Sequence, residues 1–189
     1  KQRVEWSQRW TDYDRISVHL KRAVIASEDA EFADHAGVDW EAIEKAWDRN
    51  QRVQAQAERR GSPPPASRLR GGSTITQQLA KNLLLSGERT VLRKGQELLL
   101  TWMLELLLDK RRILELYLNH VEWGEGLFGA QAAARHYFRV DADRLTPTQA
   151  ARLAVMLPAP KRFERQPASA YLQGRSATIL ARMPAVELP

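Results

Sequence analysis

With 189 residues, 43% of them apolar and 28% charged, the chain is long enough to bury one substantial core and has the composition of a globular protein. The absence of cysteine excludes disulfides and thiolate metal sites, and four scattered histidines in no ligand-spaced cluster argue against a tight transition-metal centre. A formal net charge of +6 calls for an acidic partner, for which nucleic acid, anionic lipid and a phosphorylated substrate all qualify.

Helical patterning dominates from the start. Ile16, Leu20 and Val24 recur every four residues and give one apolar face to a helix that runs toward Glu28. Gly37 permits a sharp change of direction, His35 is placed to cap that turn, and Asp39 is an N-cap for the next helix, lined by Trp40, Ile43 and Trp47. From Gln51 to Arg70 the chain is rich in Gln, Arg and Ala and contains Pro63-Pro64-Pro65, which reads as a mobile connection ending in Gly71-Gly72. Six Arg against one Glu between Arg49 and Gly72 make this stretch the most basic part of the chain.

Thr74-Ile75-Thr76-Gln77 has the capping-box spelling and starts a helix with Ile75, Leu79 and Leu83 inward and Thr74, Gln78 and Lys81 on another face. Ser86-Gly87 stops it. Val91 to Asp109 is apolar nearly all round, which predicts the buried central helix of the domain. Its most apolar part, Leu98 to Leu108, is interrupted by Thr101 and Glu105 and is well short of the roughly 20 residues of a membrane span. Lys110 to Asn119 continues helically, the glycines between Trp123 and Gly129 make a turn, and Ala130 to Tyr137 is helical again. Thr146-Pro147-Thr148-Gln149 caps a helix that ends before Pro158, and a last helix reaches from Ser169 to Met183. No strand-like alternation or internal repeat stands out, so the expected fold is mostly α.

The residues that could carry chemistry are carboxylates beside apolar sequence. Glu28 follows the largely apolar run Ala23 to Ser27, and partial desolvation would raise its pKa toward the range of a general acid or base. An exposed Glu at a helix end is the plainer alternative. Glu97 lies on the apolar helix one turn after Arg93 and Lys94, so it is either functional or a structural ion pair with Arg93. Lys81, Arg89, Arg93 and Lys94 form a cationic series that could clamp a pyrophosphate or form a solvated basic face. Gly71-Gly72-Ser73-Thr74 ahead of a helix N-terminus suits anion binding, weakly. No Walker pattern, dinucleotide fingerprint or nucleophile elbow occurs.

The order and spelling of these stretches resemble the peptidoglycan glycosyltransferases, glycosyltransferase family 51. The likeness is carried by Glu28-Asp29 with Phe32, His35 and Gly37, then Gly71 to Gln78 with Lys81-Asn82, then Arg93-Lys94 with Glu97. Lys110, Ile113 to Asn119 and Gly124 follow, and Ala150 to Ala154 with Leu157-Pro158 and Pro160 complete the set. The match runs from about Ile16 to Met183, and five motifs in one order are specific. Thr101 to Leu106 and Val121 to Gly124 look like the monofunctional biosynthetic form.

The resemblance implies a lysozyme-like, two-lobed helical fold, with residues 1–189 as a single glycosyltransferase domain and a membrane anchor expected upstream. It implies polymerisation of lipid II into β-1,4-linked glycan with inversion and release of undecaprenyl pyrophosphate. Glu28 would be the base for the acceptor hydroxyl, and Glu97 would support departure of the pyrophosphate. Lys81 and Arg89 would contact the donor phosphates, supported by Arg93 and Lys94. Ser73, Thr74, Gln77 and Gln78 would line the substrate cleft, with Asp29, Phe32, His35, Gly72 and Asn119 as further substrate-binding positions. No tightly bound cofactor and no metal ligand is implied, with a divalent cation such as Mg or Mn at the pyrophosphate as an option. The expected partners are lipid II, the growing glycan strand, the membrane surface and cell-wall synthesis proteins, and not nucleic acid. The expected place is the periplasmic side of a bacterial inner membrane. The rival enzyme reading is a lysozyme-like hydrolase or lytic transglycosylase, which needs no pyrophosphate clamp. The non-catalytic rival is a basic module that binds nucleic acid or anionic membrane.

Overall fold

The computed structural model describes residues 6–59, 61, 63, 71–84 and 91–189. Nine α-helices are present among them: α1 (Val18–Glu28), α2 (Trp40–Arg59), α3 (Ile75–Leu84), α4 (Val91–Leu107), α5 (Lys110–His120), α6 (Ala130–Phe138), α7 (Pro147–Met156), α8 (Pro160–Arg165) and α9 (Ala170–Arg182). Three short strands, β1 (Ser7–Gln8), β2 (Glu122–Gly124) and β3 (Leu127–Phe128), form a sheet in the order β1-β3-β2. β1 runs parallel to β3 with Ser7 opposite Leu127, and β2 runs antiparallel to it with Glu122 opposite Phe128. Strands of two or three residues are too short to alternate visibly, which is why this sheet is not legible in the sequence.

The helix starts follow their caps. Asp39 accepts from Ala42 N at 2.7 Å, Asp109 from Arg112 N at 2.7 Å, and Ser169 from Leu172 N at 3.3 Å. Thr146 and Gln149 form a reciprocal capping box with Pro147 in the first turn. Asp109 therefore divides what the sequence suggested was one long helical stretch into α4 and α5. Helix α2 also runs further than expected: Gln51 to Arg59 continues it instead of loosening into a connection. Most of the remaining connection, the Ser86-Gly87 stop and Leu85 lie outside the described residues.

One core joins α1, α5, α7 and α9. Leu20, Ala23, Val24 and Ile25 of α1 meet Ala150, Leu153 and Ala154 of α7, which in turn packs on α9 through Leu172 and Ile179. Each large aliphatic side chain so buried contributes about 1.5–3 kcal/mol. The central helix is α5, not α4: Ile113, Leu114, Tyr117 and Leu118 are fully enclosed. Helix α4 packs on α3 and leaves its other side open, so Leu92 is 75%, Leu106 85% and Leu107 72% exposed. A helix apolar all round needs partners on every side, and among the described residues α4 has them on one. Trp40 and Trp47 of α2 are likewise exposed rather than packed.

Candidate active site

Three segments converge on helix α3. The first is the end of α1, where Glu28 is the last helical residue and Asp29 the C-cap. Asp29 is buried, and its two carboxylate oxygens have separate tasks. One contacts His35 Nε2 at 2.8 Å, and the other accepts from Ile75 N, the first residue of α3, at 2.9 Å. Gly37 N donates to His35 Nδ1 at 3.2 Å, so the imidazole proton is on Nε2 and points at Asp29. Thr74 closes the loop by donating its hydroxyl to Gly37 O at 2.6 Å. This clasp fixes the start of α3 against the end of α1.

Thr74 and Gln77 form the capping box the sequence predicted, with Thr74 N to Gln77 Oε1 at 3.0 Å and Gln77 N to Thr74 Oγ1 at 3.2 Å. Both are buried and engaged in the cap that holds the start of α3. Gln78, one residue on, faces the other way. Its Nε2 donates to Glu28 Oε2 at 3.2 Å, and its Oε1 accepts from Tyr117 Oη of α5 at 3.0 Å. Ser27 Oγ donates to Glu28 Oε1 at 3.1 Å. Lys81 follows Gln78 by three residues, about 4.5 Å further along the helix axis, and is exposed.

Burial pushes the Glu28 carboxyl above the usual carboxylate range, opposed by the hydrogen bonds from Gln78 and Ser27 and by the positive charge of Arg175 on α9. The neighbouring Asp29 adds to the rise. Burial also raises the Tyr117 phenol well above its ordinary value, reinforced by Glu28 and Asp29, so it stays a donor at every physiological pH. Glu28 is thus a half-buried carboxylate held by neutral donors. That combination suits a group that must be ionised yet avid for a proton.

Glu97 is only 4% exposed and pairs with the Lys94 ammonium at 2.5 Å. Thr101 donates its hydroxyl to Glu97 O at 2.7 Å. Lower on α4, Glu105 accepts from Thr76 at 2.5 Å and from Lys110 at 2.9 Å, tying α3, α4 and α5 together. The Lys110 ammonium also lies 4.6 Å above the Phe32 ring.

Several other expected binding positions are buried or already engaged within the protein. Phe32 is fully buried in the core. Asn119 is enclosed, donating to Thr11 O and Glu115 O and accepting from Thr11 N, which leaves its amide nothing to offer a substrate. Asp29 and His35 are occupied with each other, with Gly37 and with α3. Gly72 packs against α2, where a Cβ would stand 3.0 Å from Ile43 Cα. Ser73 is exposed beside it. Arg89 lies outside the described residues. The sequence missed Arg175 and the link from Tyr117, because neither carries a local signal connecting it to Glu28 across the chain.

Gly37 has the tightest constraint in the clasp. Its φ is +85°, and an added Cβ would sit 2.7 Å from Thr101 Cγ2 and 2.9 Å from Glu105 Cγ. Gly37→Ala is therefore expected to destabilise the protein by about 2–4 kcal/mol, read as a lower urea midpoint at unchanged m. A midpoint like that of the parent would show that the turn adapts.

Known proteins are similar in sequence along nearly the whole chain. The family model described as Transglycosylase matches residues 2–184. The biosynthetic peptidoglycan transglycosylase of Bordetella avium is 56% identical over 187 residues, 99% of this chain and 75% of its own length. That of Bordetella pertussis is 58% identical over 98% of this chain and 74% of its own, and that of Paraburkholderia xenovorans 54% over 95% and 70%.

Proposed function

The chain belongs to the transglycosylase family and is a peptidoglycan glycosyltransferase, and from that premise we propose how its own residues carry the reaction. The observation that carries this reading is Glu28, desolvated yet held by the Gln78 and Ser27 donors, with the exposed Lys81 three residues beyond Gln78 on the same helix.

Glu28 accepts the proton of the acceptor sugar's 4-hydroxyl in lipid II as that oxygen attacks the anomeric carbon of the donor. The new C–O bond forms on the face opposite the pyrophosphate, the bond to the phosphate oxygen breaks, and the configuration inverts to a β-1,4 linkage. The electron pair leaves on undecaprenyl pyrophosphate. Lys81, with Arg89 and the Arg93 and Lys94 pair, offsets the departing negative charge. Glu97 does not protonate the leaving group. Its carboxylate orients the Lys94 ammonium, as the 2.5 Å ion pair favours. Ser73, exposed just before α3, is placed to meet the sugars, while Gln78 holds Glu28.

Among the described residues no group of three His, Cys, Asp or Glu could hold a metal, and the Glu97 carboxylate is already engaged by Lys94. No step is assigned to a divalent cation.

The exposed face of α4 supports a proposal about where the enzyme acts. No described helix is long and apolar enough to cross a membrane. Leu92, Leu99, Trp102, Met103, Leu106 and Leu107 are nevertheless exposed on α4, with Leu83 and Leu84 on the adjoining α3. Such a face beside cations suits shallow insertion into a bilayer, which is where a polyprenyl-linked substrate must stay. We propose that the catalytic domain works at a membrane surface, on the periplasmic side of the inner membrane as the family resemblance implies, with the lipid substrate and the growing strand as its partners. Leu99→Ser with Leu106→Ser is expected to weaken co-sedimentation with phosphatidylglycerol vesicles by about tenfold or more. Unchanged binding would remove α4 from the membrane contact.

The products distinguish this reading from a lytic one. Supplied with labelled lipid II, the protein should give long glycan and free undecaprenyl pyrophosphate. Shortening of preformed peptidoglycan without polymerisation would support the hydrolase or lytic alternative.

A further inference from the structure

Gln78 is the joint between two groups that do not touch each other. Its amide accepts from the Tyr117 phenol at one end and donates to Glu28 at the other. The two ends of an amide are nearly the same size and opposite in function, so rotation by half a turn exchanges donor for acceptor. Rotated, the amide would aim its oxygen at Glu28, which an ionised carboxylate rejects and a protonated one welcomes. The phenol hydrogen, on a side chain that is itself enclosed, would meanwhile lose the only acceptor that the described residues give it.

We propose that Tyr117 is a positioning residue that fixes the Gln78 amide with its NH2 toward Glu28, so that the carboxylate is kept ready to take a proton. This rests on Glu28 being the base. Every group facing the carboxylate fits the assignment. Ser27 donates from α1 and Gln78 donates from α3. Arg175 supplies a positive charge from α9, and Asp29 supplies the opposing negative one. Tyr117, on α5, faces Glu28 and Asp29, whose charges help to keep its proton in place. The phenol therefore acts on Glu28 through the amide and not as an acid or base of its own.

The sign of the effect follows. Without the hydroxyl, the amide samples both orientations, the ionised carboxylate loses part of its donor, and Glu28 ionises at higher pH. In Tyr117→Phe the acid limb of the rate of lipid II polymerisation should move to higher pH. Activity should be about fivefold below the parent on the acid side and close to it on the alkaline side. Gln78→Leu should shift the limb further, and Tyr117→Phe added to it should shift it no more, since the joint is already gone. A ¹³C-carboxyl titration of Glu28 in the folded Tyr117→Phe protein should show the same rise without turnover. A loss uniform across pH, additive effects of the two substitutions, an unmoved Glu28 titration or failure of Tyr117→Phe to fold would each overturn the proposal. Glu28→Gln is the control that separates the two claims: polymerisation by that variant defeats the assignment of the base, whatever Tyr117 does.

Discussion

Glu28→Gln is expected to abolish polymerisation, by about 10²–10⁴-fold, while leaving the protein as stable as the parent or more so at pH 7. Glutamine keeps the shape and can still bond Gln78 and Ser27, but it cannot accept the proton of the attacking hydroxyl. The stability half of this result follows from the raised pKa. Below the pH at which an unfolded Glu ionises, the carboxyl is neutral in both states and folding carries no penalty. As pH rises through the folded pKa, burial of the charge costs stability, and the cost is complete once the folded group has ionised. Glutamine never incurs it. The readouts are glycan formation from labelled lipid II and thermal unfolding at pH 7. A variant that is inactive but also strongly destabilised would make Glu28 a structural residue.

Asp29→Ala should have the largest effect on stability, about 2–5 kcal/mol in urea unfolding. Removing this buried carboxylate strands two donors at once, His35 Nε2 and Ile75 N, and detaches the start of α3 from the end of α1. Asp29→Asn keeps one acceptor, presents an N–H2 to the other donor, and should lie between Ala and the parent. Activity should fall with it, because α3 carries Gln78 and Lys81 and their position relative to Glu28 depends on this clasp. A loss below about 1 kcal/mol would mean that Thr74 and its bond to Gly37 suffice to seat α3.

What the sequence revealed and what it hid divide by range. Local chemistry was legible: the caps at Asp39, Thr74 and Thr146, the apolar face of Ile16, Leu20 and Val24, and His35 capping the Gly37 turn are each written within a few residues. The order of motifs led directly to the family. Partnership across the chain was not legible. Helix α4 has the more apolar sequence, yet α5 is the buried one, because enclosure depends on which elements surround a helix. The same limit explains the positions expected to bind substrate. Thr74 and Gln77 are spent on a cap, Asn119 on Thr11 and Glu115, and Phe32 on the core, whereas Tyr117 and Arg175 bear on Glu28 from 89 and 147 residues away.

The pH dependence of kcat/KM for lipid II polymerisation goes to the heart of the account, since it reports the ionisation of the essential base in the free enzyme. The account predicts an acid limb governed by one carboxyl, lying above the range of an ordinary Glu and displaced when Tyr117 is replaced by Phe. A rate that stays flat through that range, or a limb at the pH of an unperturbed carboxylate, would contradict the assignment of the proton acceptor to Glu28.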